Sequence, residues 1–368
     1  MLTTQVQAQF SYAEQFFAKG QAAAQEDNLQ DAVDSYTLTL QENPKFTEAL
    51  FHRSQAYFKM GKMTRAMYDL NDLLHNNPYD VRALEFRAQI NYDLKNYEAA
   101  LMDFQSVLEL HRSPEGYLNL GLILNEMGNT SGAIGAFNSA LSMNPVYGEA
   151  FCGIADTYAA QGEAYFDQAF EYYSIALRHN PEDVFTLRSR GKLHLIMGNY
   201  DNAINDFNTS LSFALDFEAY LHLAQCFLEK NEWTKAHRAI RYAMELENDH
   251  PEVYFTLGLV EMETGKYNAA LESFWVAKGY DTNNPEYMRQ IGLAEYHLGN
   301  PYGAVRAFND YTNMVGEDAE IEMLVSKCYE NIEEANAQIE TIKATEEVIY
   351  NAPVINSEEF SEDIFDKE

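Results

Sequence analysis

An alanine recurs nine times along this 368-residue chain at a spacing of roughly 34 residues, at Ala32, Ala66, Ala100, Ala133, Ala169, Ala203, Ala236, Ala270 and Ala304. Four residues after each stands a larger side chain, Tyr36, Leu70, Phe104, Phe137, Tyr173, Phe207, Ile240, Phe274 or Phe308. Twelve residues before it lies a small one, Gly20, Ser54, Ala88, Gly121, Gly191, Ala224, Gly258 or Gly292, with Ala155 two residues further back in the fifth unit. Small residues at a fixed phase let two helices cross closely, because a larger side chain at the crossing holds the backbones apart. The period therefore predicts stacked helical hairpins rather than one closed core.

Within each unit, apolar residues return with helical spacing, as in Leu50 and Tyr57 followed by Met63, Ala66, Leu70 and Leu73. The turns inside the hairpins read Gly61-Lys62-Met63, Gly128-Asn129-Thr130, Gly198-Asn199-Tyr200, Gly265-Lys266-Tyr267 and Gly299-Asn300-Pro301. Glycine there takes the left-handed conformation that ends a helix. Between units, Asn43-Pro44, Asn77-Pro78, Asn144-Pro145, Asn180-Pro181 and Asn284-Pro285 are expected to stop the second helix. Proline disfavours helical backbone in the residue before it.

This pattern resembles the tetratricopeptide repeat, whose template sets a Leu-Gly or other small residue, then Ala-x3-Phe, then Pro at one phase. Leu120-Gly121, Leu257-Gly258 and Ile291-Gly292 stand where that template places its small residue. The third repeat is one residue short, the fifth carries two extra residues in Glu163-Ala164-Tyr165-Phe166-Asp167, and the sixth ends at Leu215 without its proline. The resemblance implies an all-α fold, a right-handed α-solenoid of helix-turn-helix repeats over residues 13–317 in about nine repeats. The rest is expected to be an N-terminal arm (1–12), a C-terminal capping helix (318–346) and an acidic disordered tail (347–368). The capping stripe is Ile321, Leu324, Val325, Cys328, Ile332, Ala335, Ile339 and Ile342. In the tail, Phe360, Ile364 and Phe365 stand among carboxylates as a candidate docking motif.

Charge narrows the partners. With 25 Lys and Arg against 57 Asp and Glu, the formal charge is −32, so nucleic acid and anionic membrane surfaces are disfavoured and a basic or apolar protein or peptide is favoured. Self-association stays open. No run of apolar residues is long enough for membrane insertion. Thr3-Thr4-Gln5-Val6-Gln7-Ala8-Gln9 is similar to the cleavage region of a bacterial secretory signal peptide, without the basic and apolar regions that precede one. The chain as given is expected in the cytoplasm, or in the bacterial periplasm if its start codon is misassigned.

The residues point to no chemistry. There is no HExxH, GxxxxGK[ST], GxSxG or GxGxxG, and the nine histidines lack ligand spacing, so no enzyme activity, metal or cofactor is expected. Cys152, Cys226 and Cys328 are widely spaced and are read as helix-packing residues. Glu14, Glu48, Glu115, Glu149, Glu218, Glu252 and Glu286 share one place in seven repeats, where a carboxylate complements the positive end of a helix.

Function then falls to the surface that stacking leaves free. One stripe of each first helix is expected to face the concavity, and it supplies the candidate partner-binding residues Phe17, Phe51, Phe58, Tyr92, Leu118, Arg188, Lys192, Leu221, Leu228, Phe255, Arg289 and Tyr296. A row of this kind buries an apolar or helical segment of a partner. The family's carboxylate clamp needs paired Lys, Asn and Arg in successive first helices; Arg188 and Lys192 come nearest, and His222, Glu252 and Thr256 follow instead. The resulting reading is a non-catalytic scaffold or adaptor. The alternative is a structural subunit of a larger assembly, at the cell envelope or elsewhere, that docks by its convex face or edges.

Overall fold

The computed structural model describes residues 11–350, and among them it forms nineteen α-helices and one short 3-10 helix. The contacts divide the chain into two compact units, Met1–Leu193 and His194–Glu368. The first unit holds α1 (Tyr12–Gln25), α2 (Leu29–Glu42), α3 (Thr47–Lys59), α4 (Met63–Asn76), α5 (Val81–Asp93), α6 (Tyr97–Leu110), α7 (Pro114–Glu126), α8 (Thr130–Met143), α9 (Gly148–Ala159) and α10 (Phe166–His179). The division falls inside α11 (Val184–Ile196). The second unit holds α12 (Tyr200–Phe213), α13 (Phe217–Glu229), α14 (Trp233–Leu246), α15 (Pro251–Glu263), α16 (Tyr267–Tyr280), α17 (Pro285–His297), α18 (Pro301–Val315) and α19 (Ala319–Tyr350).

Helices pair into hairpins, such as α3 with α4 and α15 with α16, and second helices also pack on the next first helix, as α2 does on α3 and α16 on α17. The recurring alanines are sealed: Ala32, Ala66, Ala100, Ala133, Ala169, Ala203, Ala236, Ala270 and Ala304 are all 0% exposed. Where the small residue of a hairpin is glycine it has a narrower task than a helix crossing. A Cβ added to Gly121 would stand 2.4 Å from the Phe137 ring, one on Gly258 2.4 Å from Phe274, and one on Gly292 2.5 Å from Phe308. Glycine is thus a seat for the ring that follows sixteen residues later. Phe137 is seated twice, since a Cβ on Gly153 of the next hairpin would lie 2.6 Å from the same ring.

The turns follow the expectation and extend it. Gly61, Gly128, Gly198, Gly265 and Gly299 have φ between 71° and 73°, and Asp27, Lys95 and Asn231 hold the same left-handed turn with φ of 57° to 60°. The two extra residues of the fifth repeat form the 3-10 turn Glu163–Tyr165 ahead of α10. Asn43, Asn77, Asn144 and Asn180 each end a second helix. Asn284 does the opposite. It caps the start of α17, accepting from the Glu286 N–H at 3.0 Å, and Pro285 takes the first helical position, where its fixed φ fits and its missing N–H leaves no hydrogen bond unmade.

All seven repeated glutamates lie in the first turn of a first helix, as in the capping box where Glu14 accepts from the Ser11 N–H at 2.7 Å. At the C-terminal end, Ile321 and Cys328 are fully buried, with Leu324 and Val325 packed against Phe308 and Ala304. Beyond Ile332 the stripe is uncovered: Ala335 is exposed and Ile339 is 48% exposed. Residues 1–10 of the expected arm and 351–368 of the expected tail lie outside the described residues.

Candidate partner-binding groove

In the first unit the first helices α3 and α5 bring Phe51, Phe58 and Phe86 together. The Phe86 ring meets Phe51 at 6.1 Å and Phe58 at 5.3 Å, both edge-on. On the other side of α3, His52 stacks on Tyr36 at 5.9 Å, and Phe17 lies 5.5 Å from His52. These rings are half-buried apart from Tyr36, which is closed. Tyr36, His52, Phe58 and Phe86, but not Phe17, bound a cavity of about 310 Å³ whose lining is completed by Ala24, Leu29, Gln55, Ala56 and Lys59.

A second cavity of about 490 Å³ adjoins it, sharing Gln55 and Phe86, and is lined by Phe51, Arg82, Glu85, Gln89, Phe104, Glu115 and Asn119. Arg82 sits at its rim with its guanidinium 5.0 Å from the centre of the Phe51 ring. It donates to Glu48 at 2.8 Å and to Asp80 at 3.3 Å. Those bonds, Glu48 foremost, raise the guanidinium above its ordinary value. Gln89 donates to Asp93 at 2.8 Å.

The other expected residues of the first unit stand apart from both cavities. Tyr92 packs on the cluster of Ala88, Ala100, Phe104 and Ile123, and burial, with Glu126 nearby, pushes its hydroxyl up. Leu118 packs on Ala133 and Phe137. Arg188 lies with its guanidinium 5.3 Å from the exposed Phe185 ring. Lys192 is exposed, and its charge acts on Asp156, whose carboxyl is pushed up by burial and drawn back by the Tyr173 hydroxyl that donates to it at 2.5 Å.

The second unit closes much of the expected stripe. Leu221 is corrected from groove to core: it is 2% exposed, packed with Phe217, Ala219, Leu223 and Val253. Leu228 is half-buried. Phe255 packs between Phe274 at 5.8 Å and Tyr287 at 5.3 Å. Tyr296 leans on the cluster of Ala304, Phe308 and Ile321. Arg289 is paired with Glu286 at 3.4 Å and Glu320 at 3.0 Å.

The three thiols are free and buried, and burial pushes Cys226 up to about 12, so it stays protonated and unreactive at neutral pH. Among the described residues no group of three or more His, Cys, Asp or Glu is arranged to hold a metal ion, and no helix is long and apolar enough to cross a membrane. The sequence reading missed His52, Phe86, Arg82, Glu115 and Asn119 in the groove. It also missed two buried ion pairs that run from first to second helix. Arg53 grips Asp69 at 2.7 and 2.8 Å, and Arg87 grips Asp103 at 2.7 and 2.9 Å, each pair sixteen residues apart. That Arg-x15-Asp spacing, repeated at the 34-residue period, was the available signal.

Comparison with known proteins gives these hairpins a family. The tetratricopeptide repeat model matches residues 17–81, 87–147 and 188–251, just over half of the chain, and the chain belongs to that family. The human tetratricopeptide repeat protein 6 is 28% identical over 99 residues, 27% of this chain and 19% of that protein. The BBSome complex member BBS4 of Bos taurus is 21% identical over 206 residues, 56% of this chain and 39% of that protein. The chain thus spans well under half the length of these curated relatives.

Among solved structures, the Cut9 and Hcn1 hetero-tetramer of the APC/C aligns with a TM-score of 0.59 at 16% identity, covering 86% of this chain and 76% of that one. PilF of Pseudomonas aeruginosa aligns at 0.53 and 16% identity, covering 58% and 97%. The fold is accordingly the all-α solenoid of tetratricopeptide repeats. Members of this family in general act as non-catalytic scaffolds that mediate contacts between proteins.

Proposed function

We propose that this chain is a protein-binding adaptor that takes an extended or helical segment of a partner along the first helices of its N-terminal unit. One observation carries the reading: two adjoining cavities, of about 310 and 490 Å³, run across successive first helices and share Gln55 and Phe86. Volumes of this order lie within the roughly 300–1,000 Å³ of ligand clefts. Rigid aromatic walls of this kind tend to provide the few contacts that dominate a binding energy.

The test is site-specific photo-crosslinking with the full chain in extracts of its native source. A photoreactive residue at Gln55 or Glu85 is expected to capture a defined partner, and one at Asp34 on a second helix is not. Capture from Asp34 with none from Gln55 or Glu85 overturns the groove. A second reading has its own observation. Tyr68 and Met102, 74% and 69% exposed, occupy the same phase of neighbouring second helices, so a partner captured from these positions alone marks a structural subunit docked by its outer face.

A further inference from the structure

The two cavities differ in what they offer. The first is walled by the Tyr36, His52, Phe58 and Phe86 side chains and has one charged lining residue, Lys59. The second carries Glu85 and Glu115, and among the described residues neither is in an ion pair. Its one cation, Arg82, is already held by Glu48 and Asp80, so the charge left facing this space is negative. Between the cavities stands Gln55, half-buried, whose amide has no hydrogen-bond partner among the described residues. A peptide backbone has both groups that an amide can pair with.

Resting on the groove reading above, we propose that the segment bound here presents a large apolar or aromatic side chain to the first cavity and a lysine or arginine to the second, its backbone meeting Gln55 between them. A cation in the second cavity complements Glu85 and Glu115. The same cation in the first would meet Lys59. The order of the two side chains across the groove is thereby fixed, and the electrostatic part of the binding acts on specificity and on-rate and weakens with salt.

The experiment selects linear twelve-residue peptides from a random phage library on the purified full chain, then measures binding of the enriched peptides by fluorescence anisotropy at low and high salt. Enriched peptides are expected to combine a Phe, Tyr, Trp or Leu with a Lys or Arg. The double reversal Glu85→Lys and Glu115→Lys, at two exposed positions, is expected to weaken them at least tenfold with an unchanged melting temperature. Gln55→Arg, which puts bulk and charge between the cavities without removing packed atoms, is expected to weaken them as strongly. If Gln55→Arg weakens binding and the reversal does not, or if acidic peptides such as residues 356–368 of this chain bind as well as the enriched ones, the charge assignment is overturned while the groove stands. If neither variant changes binding, the groove reading falls with it.

Discussion

The same place in the repeat is filled by an ion pair in two hairpins of the first unit and by hydrocarbon in other hairpins of both units. Arg53 with Asp69, and Arg87 with Asp103, bridge the two helices of their hairpins, the aspartates 2% and 8% exposed as side chains. Elsewhere the corresponding residues are Leu120 with Ala136 in the first unit and Leu223 with Ala239 and Ile291 with Ala307 in the second, the last two pairs buried in the clusters around Phe207 and Phe274, while Asp206 of the second unit is again a buried aspartate. The hairpin therefore has no requirement for charge at this place. Burying a pair of ions costs desolvation that their attraction only partly offsets, so what the first unit gains is a fixed contact more than stability. Arg53 reaches further, donating to Thr37 of the preceding hairpin at 3.0 Å, and Arg87 to Asn71 at 2.7 Å. The pairs thereby tie neighbouring repeats to one another.

The largest effect tests that comparison directly. Arg53→Leu alone leaves Asp69 buried without its partner and is expected to cost about 3–5 kcal/mol in chemical denaturation. Arg53→Leu with Asp69→Ala, which copies Leu223 and Ala239, is expected to recover most of that loss. Equal losses for the single and double variants would break the equivalence of the two kinds of hairpin.

Next comes the ring seat. Gly121→Ala is expected to cost about 1–3 kcal/mol by forcing Phe137 aside. Adding Phe137→Leu is expected to relieve it, because Ala224 stands over the smaller Ile240 and Ser54 over Leu70. A melting temperature unmoved by Gly121→Ala would sink the seat.

Two carboxylates give the units opposite responses to pH. Asp156 of the first unit is raised by burial, so between the ordinary aspartate range and its raised value the folded state holds a proton that the unfolded state has released. Stability there falls as pH rises, and Asp156→Asn is expected to remove the slope. Asp318 of the second unit is lowered, chiefly by the Ile321 N–H at 3.2 Å, so its contribution is present above the ordinary range and is lost as pH falls through its depressed value. Acid titration of Asp318→Asn is expected to lack that loss. The smallest effect belongs to Arg82→Ala, an exposed pair with Glu48, expected to change stability by about 0–1 kcal/mol.

How far the sequence reached follows from what each signal measures. Periodicity reports the spacing of small and apolar residues, so the hairpins, the left-handed turns and the phase of Ala203 or Phe207 were legible from the chain alone. The groove was half legible. A stripe drawn at one phase of each helix found Phe51 and Phe58 but passed over His52 and Phe86, one residue along, and Glu115, at the start of α7. Each cavity draws different phases from successive helices, and a single row cannot contain it. Leu221 was misplaced for the converse reason. It has the phase of the stripe, yet Phe217 and Val253 close over it, and that depends on side chains from two other turns. Asn284-Pro285 repeats the dipeptide that ends four other helices, and only the three-residue shift of Pro285 against the template marked it as a beginning.

The doubly seated ring has a consequence in time. A Phe137 ring that is fully buried, and that a Cβ on either Gly121 or Gly153 would overlap, exchanges its two edges only when its close-packed surroundings give way. Slow ring exchange, read as separate aromatic resonances for the two edges, would therefore clock how often the stack breathes between α7 and α9, and a bound segment that stiffens the stack would lengthen that clock without touching Phe137.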